Sequence, residues 1–326
     1  MNYTRRDLGR IALAALPVAA LGADSKPHSV FGGVQIGIIA PYSFRGMPAD
    51  AESTLKNLLQ IGLSSVELQS SMVESFAGAP LPAGGRGRGR GGRGQMTPEQ
   101  QAAQAEAARK LRDWRLAAPM GKIRELRATY NNAGVSIYAF KIVAGQVLTP
   151  EELEYAFNVV EALGADQLTM EIPLKGGGAN GAPDDAMSQT AGEIAARRKI
   201  MVGYHAHAQA KPPATVWDVA LTQSKYNGIN FDMGHYVANT NLSAIPFIQK
   251  HHDRITSMHV KDRKFNGGPA TPFGQGDAQV ADVLRLIKKE KYSFPASIEF
   301  EYQVPEGSTV TQEIAKCLAF CRDALA

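Results

Sequence analysis

Three short apolar runs that end in histidine or aspartate constrain the fold of this chain most. They are VGYHAH, INFDMGH and TSMHV, and they carry His205, Asp232 and His259 at their polar ends. The interval from His205 to Asp232 is 27 residues, and the interval from Asp232 to His259 is again 27. About one strand–helix unit fits into each interval, so the three ends are expected at one rim of a parallel barrel. A fourth run, ASIEFE, ends in the carboxylates Glu299 and Glu301.

Six of the seven histidines lie between Val202 and His259. A single histidine at a strand end is more often hydrogen-bonded or solvated, and Asp232 by itself is equally compatible with a helix N-cap or a turn. Imidazole and carboxylate groups that converge from separate parallel strands are, however, how a barrel builds a metal site at its C-terminal face. The regular repetition favours the metal site.

Apolar runs of strand length alternate with helical stretches from residue 34 onwards. The predicted strands cover residues 34–40, 65–68, 136–140, 167–170, 200–204, 228–231, 255–258 and 295–298. Residues 97–131 are predicted to form one long helical region, and a capping box with proline at the first position opens the next helix at Thr149. The pattern predicts a (β/α)8 TIM barrel. A doubly wound open sheet is the alternative, but no dinucleotide fingerprint follows the first strand.

The barrel domain is predicted to span residues 34–326, with a leader before it and an insertion within it. Residues 1–23 place Arg5 and Arg6 before a short apolar run, which predicts a twin-arginine signal and a periplasmic protein. An uncleaved membrane anchor is the alternative, although the run is short and alanine-rich. Residues 83–95, AGGRGRGRGGRGQ, are of low complexity and predict a disordered, solvated insertion, with RNA binding as the alternative.

Charge argues against a nucleic-acid-binding surface on the barrel. The chain has a formal net charge of +4, to which the leader contributes +2 and the arginines of the insertion +4. The remainder therefore carries −2, so no nucleic acid partner is expected. Cys317 and Cys321 lie four residues apart on one predicted helix face, a poor geometry for a disulfide, and are expected to be small buried residues.

At these residues the chain resembles the xylose-isomerase-like barrel family, the sugar isomerases and epimerases that share a fold with apurinic endonuclease. GYHAH resembles the GYHNH signature of strand five, with Ala206 replacing Asn. FDMGH resembles the D-x-x-H of strand six, HVKD that of strand seven, and SIEFEY the final strand with its glutamate. FGQGD, residues 273–277, resembles the Gly-x-Gly-Asp loop of the family. The resemblance extends from about residue 34 to the end, apart from the Arg-Gly insertion.

The resemblance implies one divalent metal ion held from strands five to eight. Its ligands would be His205, Asp232, His259 and Glu299. The ketose epimerases of the family usually have glutamate on strand five, where this chain has His205. Glu171 on strand four would therefore either complete the metal shell in place of His205 or supply the second carboxylate of a proton shuttle. A mixed nitrogen and oxygen set suits manganese, cobalt, zinc or iron better than calcium.

The implied chemistry is removal of a proton next to a sugar carbonyl, through an enediolate. The metal would polarise the carbonyl as a Lewis acid, and Glu299 or Glu171 would act as the base. His207 would either orient one of the metal ligands without itself binding the metal, or act as a general acid. His235 and Lys261 would bind sugar hydroxyls or the oxyanion.

Four functions are compatible with these residues. The first is a sugar isomerase or epimerase, and the second is a lyase or hydrolase in which the same enediolate of a 3-keto-glycoside expels its β-substituent. Export and His205 favour the second, and the sequence leaves the two nearly even. A non-catalytic sugar-binding barrel is the third. An apurinic endonuclease is the fourth, but it needs a multi-zinc cluster and a basic face. A small carbohydrate is the expected partner, and no membrane is expected after removal of the signal. Lys261 and Asp262 are alternatively an ion pair at the rim.

Overall fold

The protein is a closed barrel of eight parallel strands surrounded by helices. The computed structural model describes residues 26–81, 97–143, 148–175, 182–207 and 215–326. The barrel strands are β2 (Val34–Ala40), β3 (Ser65–Gln69), β4 (Ser136–Ile142), β5 (Gln167–Glu171), β6 (Met201–His205), β7 (Asn227–Asp232), β8 (Ile255–Val260) and β11 (Ala296–Ile298). Outside the barrel, β1 (Val30–Phe31) pairs with β2, and β9 (Asp262–Arg263) pairs with β10 (Ala270–Thr271).

The first and last barrel strands close the sheet. The neighbours run in the order β2-β3-β4-β5-β6-β7-β8-β11, and β11 pairs in parallel with β2. Ile38 is in register with Val66 of β3 on one side and with Ile298 of β11 on the other. Both edges of the sheet are therefore used. The predicted TIM barrel is confirmed, and the open doubly wound sheet is excluded.

Alternation along the strands sorts apolar and polar side chains. In β8 the side chains of Met258 and Val260 are fully buried, and Ser257 and His259 alternate with them. Successive residues of a strand point to opposite faces, so the apolar set packs against the helices and the polar set lies inside the barrel. The barrel interior and its mouth at the carboxyl ends of the strands are consequently rich in polar groups.

Helices follow most of the strands. They are α1 (Ala51–Ile61), α2 (Ser70–Phe76), α3 (Pro98–Leu116), α4 (Met120–Asn132), α5 (Pro150–Leu163), α6 (Asp185–Arg198), α7 (Asp218–Gln223), α8 (Met233–Thr240), α9 (Ile245–His251), α10 (Val280–Glu290) and α11 (Val310–Leu325). The predicted capping box forms at α5, where Thr149 and Glu152 exchange side-chain to backbone hydrogen bonds of 3.3 and 3.1 Å. Among the described helices, each is too short or too polar to cross a bilayer.

The helical region predicted over residues 97–131 forms, but as two helices, α3 and α4, instead of one. The break falls at Ala117, Ala118 and Pro119. Proline has no N–H and disfavours helical backbone at the residue before it, so the first helix ends and a second begins. The short helices α2 and α8 were not predicted, since each starts directly at a strand end.

The predicted leader (residues 1–23) and the Arg-Gly insertion (residues 83–95) lie outside the described residues. Cys317 and Cys321 are buried in α11 and are not joined in a disulfide, as predicted.

Candidate active site

Three ligand-type side chains meet at the carboxyl end of the barrel. His205 ends β6, Asp232 ends β7, and His259 lies next to the end of β8. One candidate ligand atom of each lies within 4.8 Å of the others, and all three side chains are buried. Adjacent parallel strands end at the same rim, which is why residues spaced 27 apart come together.

The imidazole of His205 is oriented by Asn230 on the neighbouring strand. Its Nδ1 lies 2.8 Å from Asn230 Oδ1, and Asn230 Nδ2 donates to Ser257 Oγ at 2.7 Å. Because Nδ1 donates to the amide oxygen, the lone pair of the ring is on Nε2, which is 3.9 Å from Asp232 Oδ2. Burial, reinforced by the charge of Lys141, holds the pKa of His205 well below its usual range. His205 is therefore neutral, with Nε2 available as a ligand.

The two carboxylate oxygens of Asp232 contact different groups. Oδ1 accepts the backbone N–H of His235 at 2.7 Å and caps the first turn of α8. Oδ2 lies 2.8 Å from Lys261 Nζ. Burial raises the pKa of Asp232 to about 6, with Lys261 opposing this effect and Glu299 adding to it. One oxygen thus holds a helix, as an N-cap does, while the other faces the mouth of the barrel.

His259 lies between two carboxylates. Its Nε2 is 2.7 Å from Glu67 Oε2, and its Nδ1 is 3.1 Å from Glu299 Oε2. Burial lowers the pKa of His259, but the two carboxylates outweigh burial and raise it to about 10. A metal ion bound at Nδ1 would therefore displace a proton from this ring.

Lys261 is a buried cation surrounded by carboxylates. Its Nζ donates to Glu301 at 3.0 Å and lies 2.8 Å from Asp232 and 2.7 Å from Glu299. Its side chain is 1 % exposed. Burial lowers the pKa of Lys261, but the carboxylates outweigh burial and raise it above its usual range. Lys261 is thus a permanent positive charge beneath the mouth.

Asp262 supports the glycine-rich loop instead of pairing with Lys261. Its carboxylate accepts the N–H groups of Gly274 and Gly276, each at 2.8 Å, and of Ala278 at 3.1 Å. A Cβ at Gly276 would lie 2.1 Å from Asp262 Oδ1, so a side chain there would break this arrangement. The alternative of an ion pair between Lys261 and Asp262 at the rim is therefore wrong.

Three buried polar atoms at the mouth have no well-aligned hydrogen bond to any described residue. They are Asp232 Oδ2, His259 Nδ1 and Glu299 Oε2. Lys261 Nζ lies within 2.8 Å of both oxygens, but the hydrogen-bond directions are poor. A buried polar atom without a partner commonly marks a missing water or ion. Two carboxylate oxygens and an imidazole nitrogen, with His205 Nε2 beside them, fit a divalent transition metal.

His235 is a hydrogen-bond donor at the mouth. Arg263 Nη1 donates to its Nδ1 at 2.8 Å, so Nε2 carries the hydrogen of the neutral ring, 3.7 Å from Asp232 Oδ2. Burial is the main cause that holds the pKa of His235 well below its usual range. His205, His207 and His235 form a second group of potential ligands, but the bond from Arg263 leaves no lone pair on His235 for a metal. The arrangement suits donation to a sugar oxygen.

Glu171 forms a separate cluster beside the centre. Its carboxylate lies 3.1 Å from Lys141 Nζ and 3.3 Å from His207 Nε2, and the His207 ring stacks on His235 at 4.5 Å. Desolvation raises the pKa of Glu171, but the charge of Lys141 helps to hold it well below its usual range. The side chain is half-exposed. In this arrangement Glu171 is an ionised carboxylate at the opening, outside the group of ligand atoms.

Several residues of the site were given no role from the sequence. Glu67 and Asn230 bind the two ligand-type imidazoles. At the rim, Tyr42 donates to Glu301 at 2.6 Å, and Arg45 lies 3.2 Å from the same oxygen. A polar residue in the middle of an apolar strand, as in SVELQ and INFD, is the signal that could have found Glu67 and Asn230. The rim pair has no comparable signal.

Solved structures resemble the whole barrel at low sequence identity. A sugar phosphate isomerase/epimerase from Parabacteroides distasonis is 15% identical, with a TM-score of 0.57 over 92% of this chain and 98% of that chain. A xylose isomerase domain protein from Planctomyces limnophilus is 14% identical, with a TM-score of 0.59 over 89% and 97%. The 3-keto-D-glucoside 4-epimerase of E. coli is 12% identical, with a TM-score of 0.57 over 89% and 99%. These similarities establish the fold.

A search of curated protein sequences finds no match. The family model of the xylose isomerase-like TIM barrel matches residues 121–321, which is more than half of the chain and includes His205, Asp232, His259 and Glu299. The chain therefore belongs to the xylose isomerase-like TIM barrel family.

Proposed function

We propose that the protein is a divalent-metal-dependent sugar isomerase or epimerase that removes a proton next to a sugar carbonyl through an enediolate. The observation that carries the proposal is the trio of buried atoms Asp232 Oδ2, His259 Nδ1 and Glu299 Oε2, which lie together at the mouth without an aligned hydrogen bond. Such atoms at the carboxyl ends of barrel strands are where enzymes of this fold bind metal and substrate. The names of structural neighbours, which include epimerases of free and oxidised sugars, support the same class.

His205, Asp232, His259 and Glu299 would hold the metal ion. Their nitrogen and oxygen atoms suit manganese, cobalt, zinc or iron. When bound, the metal supplies Lewis-acid polarisation of the sugar carbonyl, which makes the neighbouring C–H more acidic. Asn230 keeps the Nε2 lone pair of His205 directed towards this position.

The acid–base groups lie on opposite sides of the mouth. Glu171 ends β5 and Glu299 follows β11, and these two strands are four positions apart in the closed ring of eight. Glu171 would remove the proton, because its ion pair with Lys141 keeps it ionised. In epimerisation a proton returns to the opposite face of the same carbon. Burial raises the pKa of Glu299, but Lys261 and His259 hold it well below its usual range, so Glu299 is ionised at rest. It would pass on a proton taken from water at the mouth, while Glu171 releases its own proton to water. His235 would donate its Nε2–H to a substrate oxygen, and Lys261 would stabilise the developing negative charge.

A second candidate is a lyase or hydrolase that cleaves 3-keto-glycosides. The observation that favours it is the contact of His207 Nε2 with Glu171 at 3.3 Å. A carboxylate base next to an imidazole can remove a proton and give one to a departing oxygen, which elimination requires. A twin-arginine leader, which we propose from Arg5 and Arg6, would take the protein to the periplasm, where unphosphorylated glycosides are available.

The first test is the metal content of the purified protein by elemental analysis. Wild type is expected to hold near one equivalent, and Asp232→Asn and His259→Gln are expected to lose it. His252→Gln is the matched control, because His252 is an exposed histidine outside the barrel that packs on Tyr292. Wild-type protein without metal after reconstitution would overturn the proposal and would favour a non-catalytic sugar-binding barrel.

The second test is proton exchange in deuterated water, followed by NMR. Wild type is expected to exchange the proton next to the carbonyl of its ketose substrate, and Glu171→Gln is expected to retain the metal but lose exchange. A 3-keto-glucoside separates the two candidates. Release of the aglycone identifies a lyase or hydrolase, whereas a stereoisomer of the intact keto-glucoside identifies an epimerase.

A further inference from the structure

A carboxylate lies inside the barrel at a position that the proposed reaction does not use. Glu67 is the central residue of β3, and its side chain is fully buried. An ionised carboxylate is costly to bury unless hydrogen bonds or opposite charges satisfy it. Its partners therefore indicate why the barrel retains it.

Donors from three other strands hold the Glu67 carboxylate. His259 Nε2 lies 2.7 Å from Oε2, the Tyr138 hydroxyl lies 3.2 Å from the same oxygen, and Thr169 Oγ1 donates to Oε1 at 2.5 Å. Tyr138 is itself held by Ser297 Oγ at 2.6 Å. The carboxylate is thus locked in place from β4, β5 and β8 and has little freedom to move.

This bond determines which edge of the His259 ring faces the mouth. Because Nε2 donates to Glu67, the other nitrogen, Nδ1, is turned towards Glu299 Oε2 at 3.1 Å, where it has no aligned hydrogen bond. A carboxylate behind an imidazole fixes the tautomer and ring orientation and makes the opposite nitrogen a stronger donor to a metal. His205 has a neutral amide, Asn230, in the corresponding place.

We propose that Glu67 is a positioning residue that holds His259 with Nδ1 presented to a divalent cation at the mouth and strengthens the binding of that cation. Glu67 is fully buried, and its carboxylate is hydrogen-bonded to His259, Tyr138 and Thr169 in the barrel interior. The proposal rests on the proposed function, because it assumes that a metal ion binds at His259 Nδ1.

The experiment compares the metal affinity of Glu67→Gln with that of wild type. Glutamine keeps the shape and an oxygen acceptor but removes the charge. Affinity for Co²⁺ and Mn²⁺ is measured by competition with a chelator, together with the visible spectrum of the Co²⁺ form. Glu67→Gln is expected to bind about 10- to 100-fold more weakly and to show an altered Co²⁺ spectrum. Thr169→Val is the matched control. It removes another hydrogen bond of Glu67 but no contact of His259, so it is expected to lose thermal stability while keeping near wild-type affinity.

A double-mutant cycle tests whether Glu67 acts through His259. His259→Gln is expected to lose its metal on purification, so its weak binding is titrated at millimolar Co²⁺. In that background Glu67→Gln is expected to weaken metal binding no further, whereas additive losses would overturn the proposal. Wild-type affinity in the single variant Glu67→Gln would overturn it while leaving the proposed function intact. A wild-type protein that binds neither metal would overturn both. If Glu67→Gln does not fold, Glu67→Asp keeps the charge with a shorter reach, and unchanged affinity in that variant would likewise overturn the proposal.

Discussion

At the residue scale, each ligand-type side chain forms a hydrogen bond to the protein through one polar atom, and a second polar atom faces the site. Asp232 commits Oδ1 to the N-cap of α8 and leaves Oδ2. His205 commits Nδ1 to Asn230, and His259 commits Nε2 to Glu67. The committed atom fixes the orientation of the side chain, so the remaining atoms are held ready for a ligand before it binds.

Replacing Lys261 by methionine is expected to destabilise the metal-free protein and to enlarge its response to metal. The substitution leaves the carboxylates of Asp232, Glu299 and Glu301 close together without their shared cation. Removing one partner of a buried ion pair costs about 3–5 kcal/mol of unfolding free energy. Added Mn²⁺ would restore positive charge, so the rise in Tm on adding Mn²⁺ to chelator-treated protein should exceed that of wild type.

Lys264→Met is the matched control, because Lys264 is half-exposed and pairs with Asp277 at 3.5 Å on the surface. It should change the unfolding free energy by no more than about 0.5 kcal/mol. A Mn²⁺-induced shift of Tm in Lys261→Met equal to or smaller than that of wild type would contradict the electrostatic argument.

At the element scale, a buried ion pair attaches the polar helix α3 to the barrel. Arg115, near the end of α3, donates to Glu74 of α2 at 2.8 Å and to Glu152 of α5 at 2.9 Å. The three side chains are 5 % exposed or less. Glu152 also closes the capping box of α5, so one carboxylate joins the start of one helix to the end of another.

Arg115→Met is expected to lower the unfolding free energy by about 3–5 kcal/mol, because it leaves two buried carboxylates without their shared partner. Urea unfolding measures the loss. Arg109→Met lies on the same helix, but Arg109 is 61% exposed and forms ion pairs on the surface. Its effect should stay within about 1 kcal/mol. Equal losses of unfolding free energy in the two variants would show that the buried ion pairs of Arg115 stabilise the protein no more than surface ion pairs do.

At the scale of the whole molecule, closure of the barrel requires that its first strand, β2, leave room at Gly37 for the side chains of neighbouring strands. A Cβ at Gly37 in β2 would lie 2.8 Å from Ser297 Oγ and 3.2 Å from the carbonyl of Ser65. Ser297 in turn holds Tyr138, which contacts Glu67. The absence of a side chain at Gly37 therefore leaves room for the polar layer beneath the mouth.

Gly37→Ala is expected to destabilise the protein by about 1–3 kcal/mol through overpacking. The same substitution at Gly121, in the first turn of α4, meets its nearest side-chain atom only at 4.0 Å. Gly121→Ala should therefore stabilise by up to about 1 kcal/mol, because alanine favours helix over glycine. Urea unfolding of both variants checks the signs. Stabilisation by Gly37→Ala would refute the close approach at the barrel interior.

Much of the fold was predictable because its signals are local. The predicted strand 255–258 lies within β8, and the capping box at Thr149 forms as expected, since both follow from residue types at short spacing. The helices α2 and α8 were missed because each has only seven or eight residues and begins where a strand ends. The strand-end residues His205, Asp232 and His259 were expected to meet, and they do.

The sequence by itself determined which strands form and that their polar ends share one rim, because the hydrophobic periodicity of a strand and the spacing between successive strands can both be read along the chain. Only the tertiary structure decided which atom of each polar side chain remains open to a ligand. Glu67 and His259 are 192 residues apart, and no local pattern relates them. Their contact exists because the closed barrel brings the interior faces of distant strands together, and that contact turns Nδ1 of His259 towards the site.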